Sequence, residues 1–437
     1  MMKLRWLACL VGGVILLDSA TSLAADVLDG PPINYREAPA ANSISRLQDR
    51  LDAGDKTLTF DDERGYLKSV LSALSVPVES QMLVFSKTSL QRHCISPRSP
   101  RAIYFNDDIY VGYCQSGEAL EISAVDPTLG TVFYTLEQTR SDAPRFERRS
   151  DKCLICHNSS RTEGVPGHVV RSLFVDASGQ PMCSSGSRSV DHTTPLKDRW
   201  GGWYVTGTHG SQTHVGNLVV RTARVTEPVD NSQGQNITDL SERFRVDHYL
   251  TPHSDIVALM VLEHQTLVHN RLVKANYETR LALYYDEAVN DAADAQSGKR
   301  LESTTRRIQA AGDDLVDAML LVDEAPLSGA IRGTAGFTDV FVRSGPRDHR
   351  GRSLRDLDLQ TRLLKYPCSY LIYSEVFDAL PDEVREYVLQ RLWHVLTATE
   401  PEEKFAHLSA ADRNAIVEIL RDTKPGLPEY WSESSSR

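Results

Sequence analysis

The feature that most constrains this chain is a five-residue segment, Cys153-Leu154-Ile155-Cys156-His157. Its two thiols and its imidazole occupy positions i, i+3 and i+4, which lie on one face of an α-helix. The spacing therefore predicts a short helix that presents three ligand groups on one side. The chain has 7 Cys and 13 His in 437 residues. A random shuffle would give this pattern roughly three times in a thousand chains, so the match is informative.

Three kinds of chemistry use such a segment. A C-x-x-C pair can be a thiol–disulfide redox centre, but that centre usually opens a helix after a strand in a thioredoxin-like unit. The residues before this pair, 145–152, are polar and charged, which is typical of a loop. A zinc site needs further Cys or His at short spacing, and the sequence has no second C-x-x-C. The third chemistry is covalent haem attachment, whose signature is C-x-x-C-H.

In these five residues the chain resembles the c-type cytochromes. The resemblance implies one covalently bound haem c per chain, with thioether bonds to Cys153 and Cys156. It also implies that His157 is the proximal iron ligand, a position through which a protein tunes its haem. The rest of the chain carries no such likeness, and a compact carrier-cytochrome fold is not expected for it.

The start of the chain agrees with export. Lys3 and Arg5 precede an apolar run from Leu7 to Leu17, and small residues follow at 22–25. This arrangement is typical of a secretory signal, and the apolar run is short for a membrane span. We predict a signal peptide over 1–25 and a periplasmic mature protein with no membrane span after cleavage. An uncleaved anchor is the alternative.

The remaining cysteines fit an oxidising compartment. Cys94, Cys114, Cys183 and Cys368 could form two disulfides, and four cysteines allow three connectivities. We predict a local Cys94–Cys114 bond and a long-range Cys183–Cys368 bond. The alternative is that some of them are buried free thiols that pack as small apolar side chains.

The net charge of the chain limits the kinds of macromolecule that it is expected to bind. Loss of the signal peptide removes two cations and one anion, which takes the formal net charge from −11 to −12. A nucleic-acid partner would need a basic face, so nucleic acid is not expected. The acidic balance instead suits docking to a basic periplasmic redox partner.

The length predicts more than one domain. We expect an extended leader over 26–60, then a haem-bearing α+β domain over 61–224, with a β-meander in residues 103–136. A polar linker over 225–240 would separate it from a mostly helical part over 241–437. The predicted fold class is therefore α+β, with a mixed N-terminal part and a mostly helical C-terminal part.

The sixth iron ligand is the least determined part of the site. The segment Gly201–Gly216 is rich in Gly, Trp and His, so its backbone could approach a flat ligand, although a surface loop would have a similar composition. We take His214 from this segment as the sixth-ligand candidate, with no protein ligand as the equal rival. Four other residues are also candidates: Met182, His209, Met260 and His264.

Two polar groups outside the motif have ordinary explanations. Glu263, His264 and His269 lie on a predicted long helix and are expected at its surface. The cationic loop 343–352 could bind an anion or the haem propionates, but such runs are more often solvated and paired with carboxylates.

Three functions remain open. The first is electron transfer between periplasmic partners. The second is a haem-dependent oxidoreductase, such as a peroxidase, with an open sixth iron position, which the large mass outside the haem segment favours. The third is a haem-based sensor or partner-binding protein. Low-spin ferric iron would favour the first, and high-spin iron that reacts with peroxide would favour the second.

Overall fold

The computed structural model describes residues 28–221, 225, 229–292 and 300–432. The predicted signal peptide lies outside these residues. Strands dominate the N-terminal half and helices the C-terminal half, so the predicted α+β class is confirmed. In the described part of the chain no helix is long and apolar enough to cross a membrane.

The N-terminal half is built on an antiparallel sheet whose six strands neighbour one another in chain order, which confirms the predicted β-meander. Sequential hairpins need only short turns, and residues such as Gly130 supply the positive φ, here 69°, that these turns require. The six strands are β1 (Met82–Val84), β2 (Arg101–Phe105), β3 (Ile109–Tyr113), β4 (Ala119–Asp126), β5 (Gly130–Glu137) and β6 (Phe146–Arg148). A separate antiparallel pair consists of β7 (Val170–Leu173) and β8 (Ser187–Val190).

Both faces of the six-stranded sheet are covered. Met82 and Val84 pack into one hydrophobic cluster, whereas Leu83 between them packs into a second cluster. This alternation follows from the two-residue period of a strand, in which successive side chains point to opposite faces. The sheet is therefore an internal layer.

The helices surround this layer and fill the C-terminal half. They are α1 (Ser43–Asp52), α2 (Leu67–Ala73), α3 (Asp151–His157), α4 (Ile256–Ala292), α5 (Glu302–Met319), α6 (Phe337–Arg343), α7 (Glu375–Asp378), α8 (Asp382–Thr397) and α9 (Ala410–Thr423). Helices α5 and α8 pack closely because Gly312 has no side chain. A Cβ at this position would lie 2.5 Å from Tyr387 Cδ1.

The segment expected to be an extended leader is packed and partly helical. Asn42 caps α1, with its side-chain oxygen accepting hydrogen bonds from the backbone N–H groups of Ile44 and Ser45. Ile33 and Tyr35 are fully buried in the second cluster. Apolar side chains at the start of the segment therefore dock it on the sheet, although its prolines suggested otherwise.

Helix α4 connects the two halves. Asp255 caps it by accepting hydrogen bonds from the N–H groups of Val257 and Ala258 at 2.8 and 3.2 Å. The first part of α4 packs into the first cluster, and Tyr277 and Leu281 pack into the second. The predicted boundary at 225–240 thus does not divide the hydrophobic cores, because each cluster combines residues from both sides of it.

Candidate functional site

The five-residue motif lies on α3, as its spacing predicted. Leu154 anchors the helix in the second cluster and is 7% exposed, whereas Ile155 is 76% exposed. Cys153 is half-buried and Cys156 is exposed. Burial raises the pKa of the Cys153 thiol to about 11. One side of this short helix therefore offers an open apolar and thiol surface.

His157 is held in one tautomer. Its Nδ1 lies 2.9 Å from the carbonyl oxygen of Gly167, and a carbonyl can only accept, so Nδ1 carries the proton. Burial lowers the pKa of His157, which favours the neutral ring. The lone pair then sits on Nε2, which makes no hydrogen bond among the described residues. Phe133 packs against the imidazole with 4.7 Å between ring centroids and fixes its orientation.

The carbonyl of Gly167 is itself positioned by α4. The side chain of Asn270 accepts from the His168 N–H at 3.0 Å and donates to the His168 carbonyl at 2.8 Å. A Cβ on Gly167 would lie 2.2 Å from Asn270 Oδ1. A glycine is therefore required for this close approach, which connects the orientation of His157 to a helix more than a hundred residues along the chain.

A buried polar path leads inward from His157. The His168 ring lies 6.3 Å from the His157 ring and 4.0 Å from the Tyr110 ring. The Tyr110 hydroxyl is 3.0 Å from His269 Nδ1 and accepts a 2.8 Å hydrogen bond from Gln265 Nε2. Strand β3 contributes Tyr110, helix α4 contributes Gln265 and His269, and His168 lies just before β7. Tyr110, His168 and Gln265 could not be identified from the sequence, because isolated polar residues carry no motif, and His269 was expected at the surface of its helix.

Positive charge and a second thiol lie beside Cys156. Burial and the charge of Arg161 lower the pKa of Arg171, and the thiols of Cys156 and Cys183 oppose this shift. These three groups therefore lie within electrostatic range of the Arg171 guanidinium. Met182 directly precedes Cys183 and is partly exposed. Of the sixth-ligand candidates, Met182 is thus the one adjacent in the chain to a thiol within electrostatic range of Arg171.

The glycine-rich segment packs against a strand. A Cβ on Gly201 would lie 2.7 Å from the carbonyl oxygen of Leu173 in β7. We expected the backbone of this segment to approach a flat ligand closely, but it approaches the backbone of β7 instead. His214 is 2% exposed, and its Nδ1 accepts from the Gly216 N–H at 3.0 Å. Among the described residues its ring contacts are Trp200 and a neighbouring histidine, and none leads to the motif.

The expectation that Glu263, His264 and His269 lie at the surface is wrong. Their exposed fractions are 0%, 0% and 1%. Helix α4 is an internal helix, so each polar group has a partner from another segment: Arg199 Nη1 donates to Glu263 Oε2 at 2.7 Å, and Ser369 Oγ lies 2.9 Å from His264 Nε2. Even with Arg199 beside it, burial raises the pKa of Glu263 to about 7.

The six described cysteines are free thiols. The predicted Cys183–Cys368 disulfide is contradicted, because Cys368 is 0% exposed inside the first cluster whereas Cys183 is exposed. Cys94 and Cys114 are also unbonded, although they lie near each other. Burial, reinforced by the neighbouring carboxylate of Glu121 and the thiol of Cys94, raises the pKa of Cys114 to about 12.

The cationic loop is neutralised, as expected. Arg347 pairs with Asp356 at 3.1 Å, and Glu418 on α9 pairs with both Arg350 and Arg352 at 2.8 and 2.7 Å. These ion pairs dock the loop on the last helix. They leave it no clear role in holding an anionic cofactor.

A comparison of the sequence with protein-family models found no match. Comparisons with curated proteins and with solved structures also found no significant similarity. The site itself is therefore the basis for a functional assignment.

Proposed function

We propose that this chain is an exported c-type cytochrome that carries one covalent haem and acts in periplasmic electron transfer. The observation that carries the proposal is the His157 imidazole, which is neutral and protonated on Nδ1. Its Nε2 is thus available to iron, on the same helix as two thiols. When bound, haem supplies a one-electron iron couple.

The residues around the motif fit such a group. Cys153 and Cys156 would hold the porphyrin through thioether bonds, and the exposed apolar side chain of Ile155 is of the kind that a porphyrin or a docked partner would cover. The Gly167 carbonyl orients His157 and raises its basicity, as outer-shell partners of metal-bound histidines do. Arg171, which lies near Cys156, would pair with a propionate.

The surface beside the motif indicates the kind of redox partner. Lys152 and Arg161 are exposed on either side of Ile155 in the sequence, and the exposed carboxylate of Asp151 is paired with Arg36 at 3.7 Å. We expect an acidic partner at this face. The whole-chain charge favoured a basic one, but charges close to the contact steer docking more strongly than the net charge does.

Met182 is the protein ligand that we favour for the sixth iron position, ahead of His214. Methionine opposite histidine raises the reduction potential of a c-type haem. The residue after Met182 lies close enough to Cys156 for both thiols to act on Arg171. His214 is buried elsewhere, against Trp200.

An oxidoreductase is the second candidate function, and one observation favours it. The path from His157 through His168 and Tyr110 reaches Gln265, which lines a cavity that opens to the surface at Ser344. A carrier protein has no evident need for a cavity in contact with such a path. A sensor or partner-binding function has no comparable support.

Haem attachment is tested by expressing the full chain with its signal sequence and a c-type maturation system. Denatured protein should show a mass increase of one haem and a positive haem stain. The Cys153→Ser/Cys156→Ser variant should lose the covalent haem, whereas the matched Cys183→Ser variant should keep it. A mature wild-type protein without the mass increase would contradict the proposal.

The spin state of the mature ferric protein separates the two functions. Electron transfer predicts a low-spin visible and paramagnetic resonance spectrum that becomes high-spin in Met182→Ala and is unchanged in His214→Ala. A high-spin wild-type spectrum with rapid reaction with peroxide would instead favour the oxidoreductase. If the spectrum became high-spin in His214→Ala and not in Met182→Ala, His214 would be the sixth ligand instead of Met182.

A further inference from the structure

A cavity of about 450 Å3 lies where the β2–β3 turn meets α2 and α6. Three aromatic side chains form one wall: Phe105 lies 5.5 Å from Phe337, which lies 5.7 Å from Phe341, between ring centroids. Leu71 and Val76 contribute aliphatic surface. Ligand pockets commonly measure about 300–1,000 Å3, so one ring with a short side chain would fit.

The charges that line the cavity do not cancel. Arg355 forms an ion pair with Asp107 and lies over the rings of Phe341 and Tyr370, at 4.9 and 4.3 Å from their centroids. Its charge is therefore already balanced. Asp108 also lines the cavity, and its carboxylate accepts a 2.8 Å hydrogen bond from the neutral Ser43 hydroxyl.

The charged groups beyond the cavity do not supply the missing cation. Arg46 on α1 donates to the Ser43 hydroxyl at 3.1 Å and pairs with Glu375 at 3.3 Å, so its contact with Asp108 is through Ser43 and it acts on that carboxylate only weakly. Burial raises the pKa of Asp108, and Asp107 and Glu375 add to that rise. One carboxylate without a dedicated cation thus faces a pocket walled by aromatic rings.

We infer that this cavity binds a small organic cation, namely a protonated amine attached to a single aromatic or alicyclic ring. The rings of Phe105, Phe337 and Phe341 would contact the apolar body, and aromatic faces also attract cations. Asp108 would pair with the ammonium group, which removes the cost of a partly buried, uncompensated carboxylate. The inference does not depend on the haem, because none of its groups belongs to α3.

Three probes of similar size and different charge test this inference by calorimetry on the mature full-length protein. They are 2-phenylethylamine, 2-phenylethanol and 3-phenylpropionate, titrated at pH 7. We expect one site for the amine, weaker binding of the alcohol, and no binding of the carboxylate. Asp108→Asn should weaken amine binding at least tenfold and leave alcohol binding within about twofold, since only the charge pair is lost. The matched variant Asp142→Asn, at an exposed position outside the cavity, should change neither.

A second variant tests the same site independently in case Asp108→Asn does not fold. Ser344 is exposed and lines the cavity, so Ser344→Trp should block the pocket while the thermal unfolding midpoint stays close to the wild-type value. Loss of amine binding in this variant supports the location. Binding of 3-phenylpropionate as tight as that of the amine would overturn the inference. The inference would also be overturned if the wild type did not bind the amine, or if Asp108→Asn and Ser344→Trp both left amine binding unchanged.

Discussion

Replacement of Arg199 by methionine should strongly destabilise the protein, and the effect should grow with pH. Arg199 Nη1 lies 2.7 Å from Glu263 Oε2, with side-chain exposures of 3% and 0%. Its Nε and Nη2 also donate to the carbonyls of Thr194 and His192 at 2.7 and 3.1 Å. Arg199→Met keeps apolar volume but leaves a buried carboxylate without its cation.

The size of the stability loss follows from the burial of the Arg199–Glu263 pair. Removal of one partner of a buried ion pair costs about 3–5 kcal/mol of the free energy of unfolding. Burial raises the pKa of Glu263 from 4.5 to about 7, and Arg199 opposes that rise, so the pKa should rise further in the variant. Between its unfolded and folded pKa values Glu263 binds a proton only in the folded state, so its contribution to stability falls as pH rises. In the wild type this fall ends near pH 7, and in the variant it continues above it.

The assay is equilibrium urea unfolding, followed by far-ultraviolet circular dichroism at pH 6 and pH 8. The loss of stability in Arg199→Met should be larger at pH 8, by up to about 1.4 kcal/mol per pH unit above 7. Glu263→Gln added to this variant should recover part of the loss and remove the extra pH dependence. The control is Arg300→Met, which breaks a surface pair with Glu383 at 2.9 Å, with exposures of 44% and 29%, and should cost less than about 1 kcal/mol. A loss below about 1 kcal/mol at both pH values in Arg199→Met, or a larger loss at pH 6, would refute this reasoning.

Three further substitutions have expected outcomes. Burial raises the pKa of Glu324 from 4.5 to about 7, so the contribution of this group to the pH profile of wild-type stability should fall between about pH 4.5 and pH 7. Glu324→Gln should flatten that profile by up to about 3 kcal/mol in urea unfolding, and an unchanged profile would count against it. Gly201→Ala places a Cβ 2.7 Å from the carbonyl oxygen of Leu173 and should lower the free energy of unfolding by about 1–3 kcal/mol. A thermal unfolding midpoint equal to that of the wild type would disprove this expectation. Asn270→Ala removes two hydrogen bonds to the His168 backbone and should cost about 1–3 kcal/mol. Hydrogen exchange at the backbone amides of residues 167–169 should accelerate in this variant, and unchanged protection there would refute the role of Asn270.

Local patterns predicted the local structure well. The spacing of Cys153, Cys156 and His157 required a helix, and α3 is that helix. Short β-branched and aromatic runs between turn residues predicted the meander, and its strands pair in chain order. Both signals depend on neighbouring residues alone, because the periods of helices and strands are properties of the backbone.

Long-range packing was not predictable in the same way. The leader segment docks on the sheet because Ile33 and Tyr35 are buried in the second hydrophobic cluster, which also contains side chains of the sheet. The predicted Cys183–Cys368 disulfide paired cysteines by elimination, yet one of them lies in the core and the other at the surface. Cysteine spacing carries no information on which residues face each other in the fold.

By itself, then, the sequence determined the meander and the helix that carries Cys153, Cys156 and His157. Only the tertiary structure decided the tautomer of His157, the burial of Glu263 and the cavity beside Asp108. The physical reason is that a polar side chain is buried only where a partner satisfies it. Those partners are far away in the chain, as with Arg199 and Glu263, which are 64 residues apart.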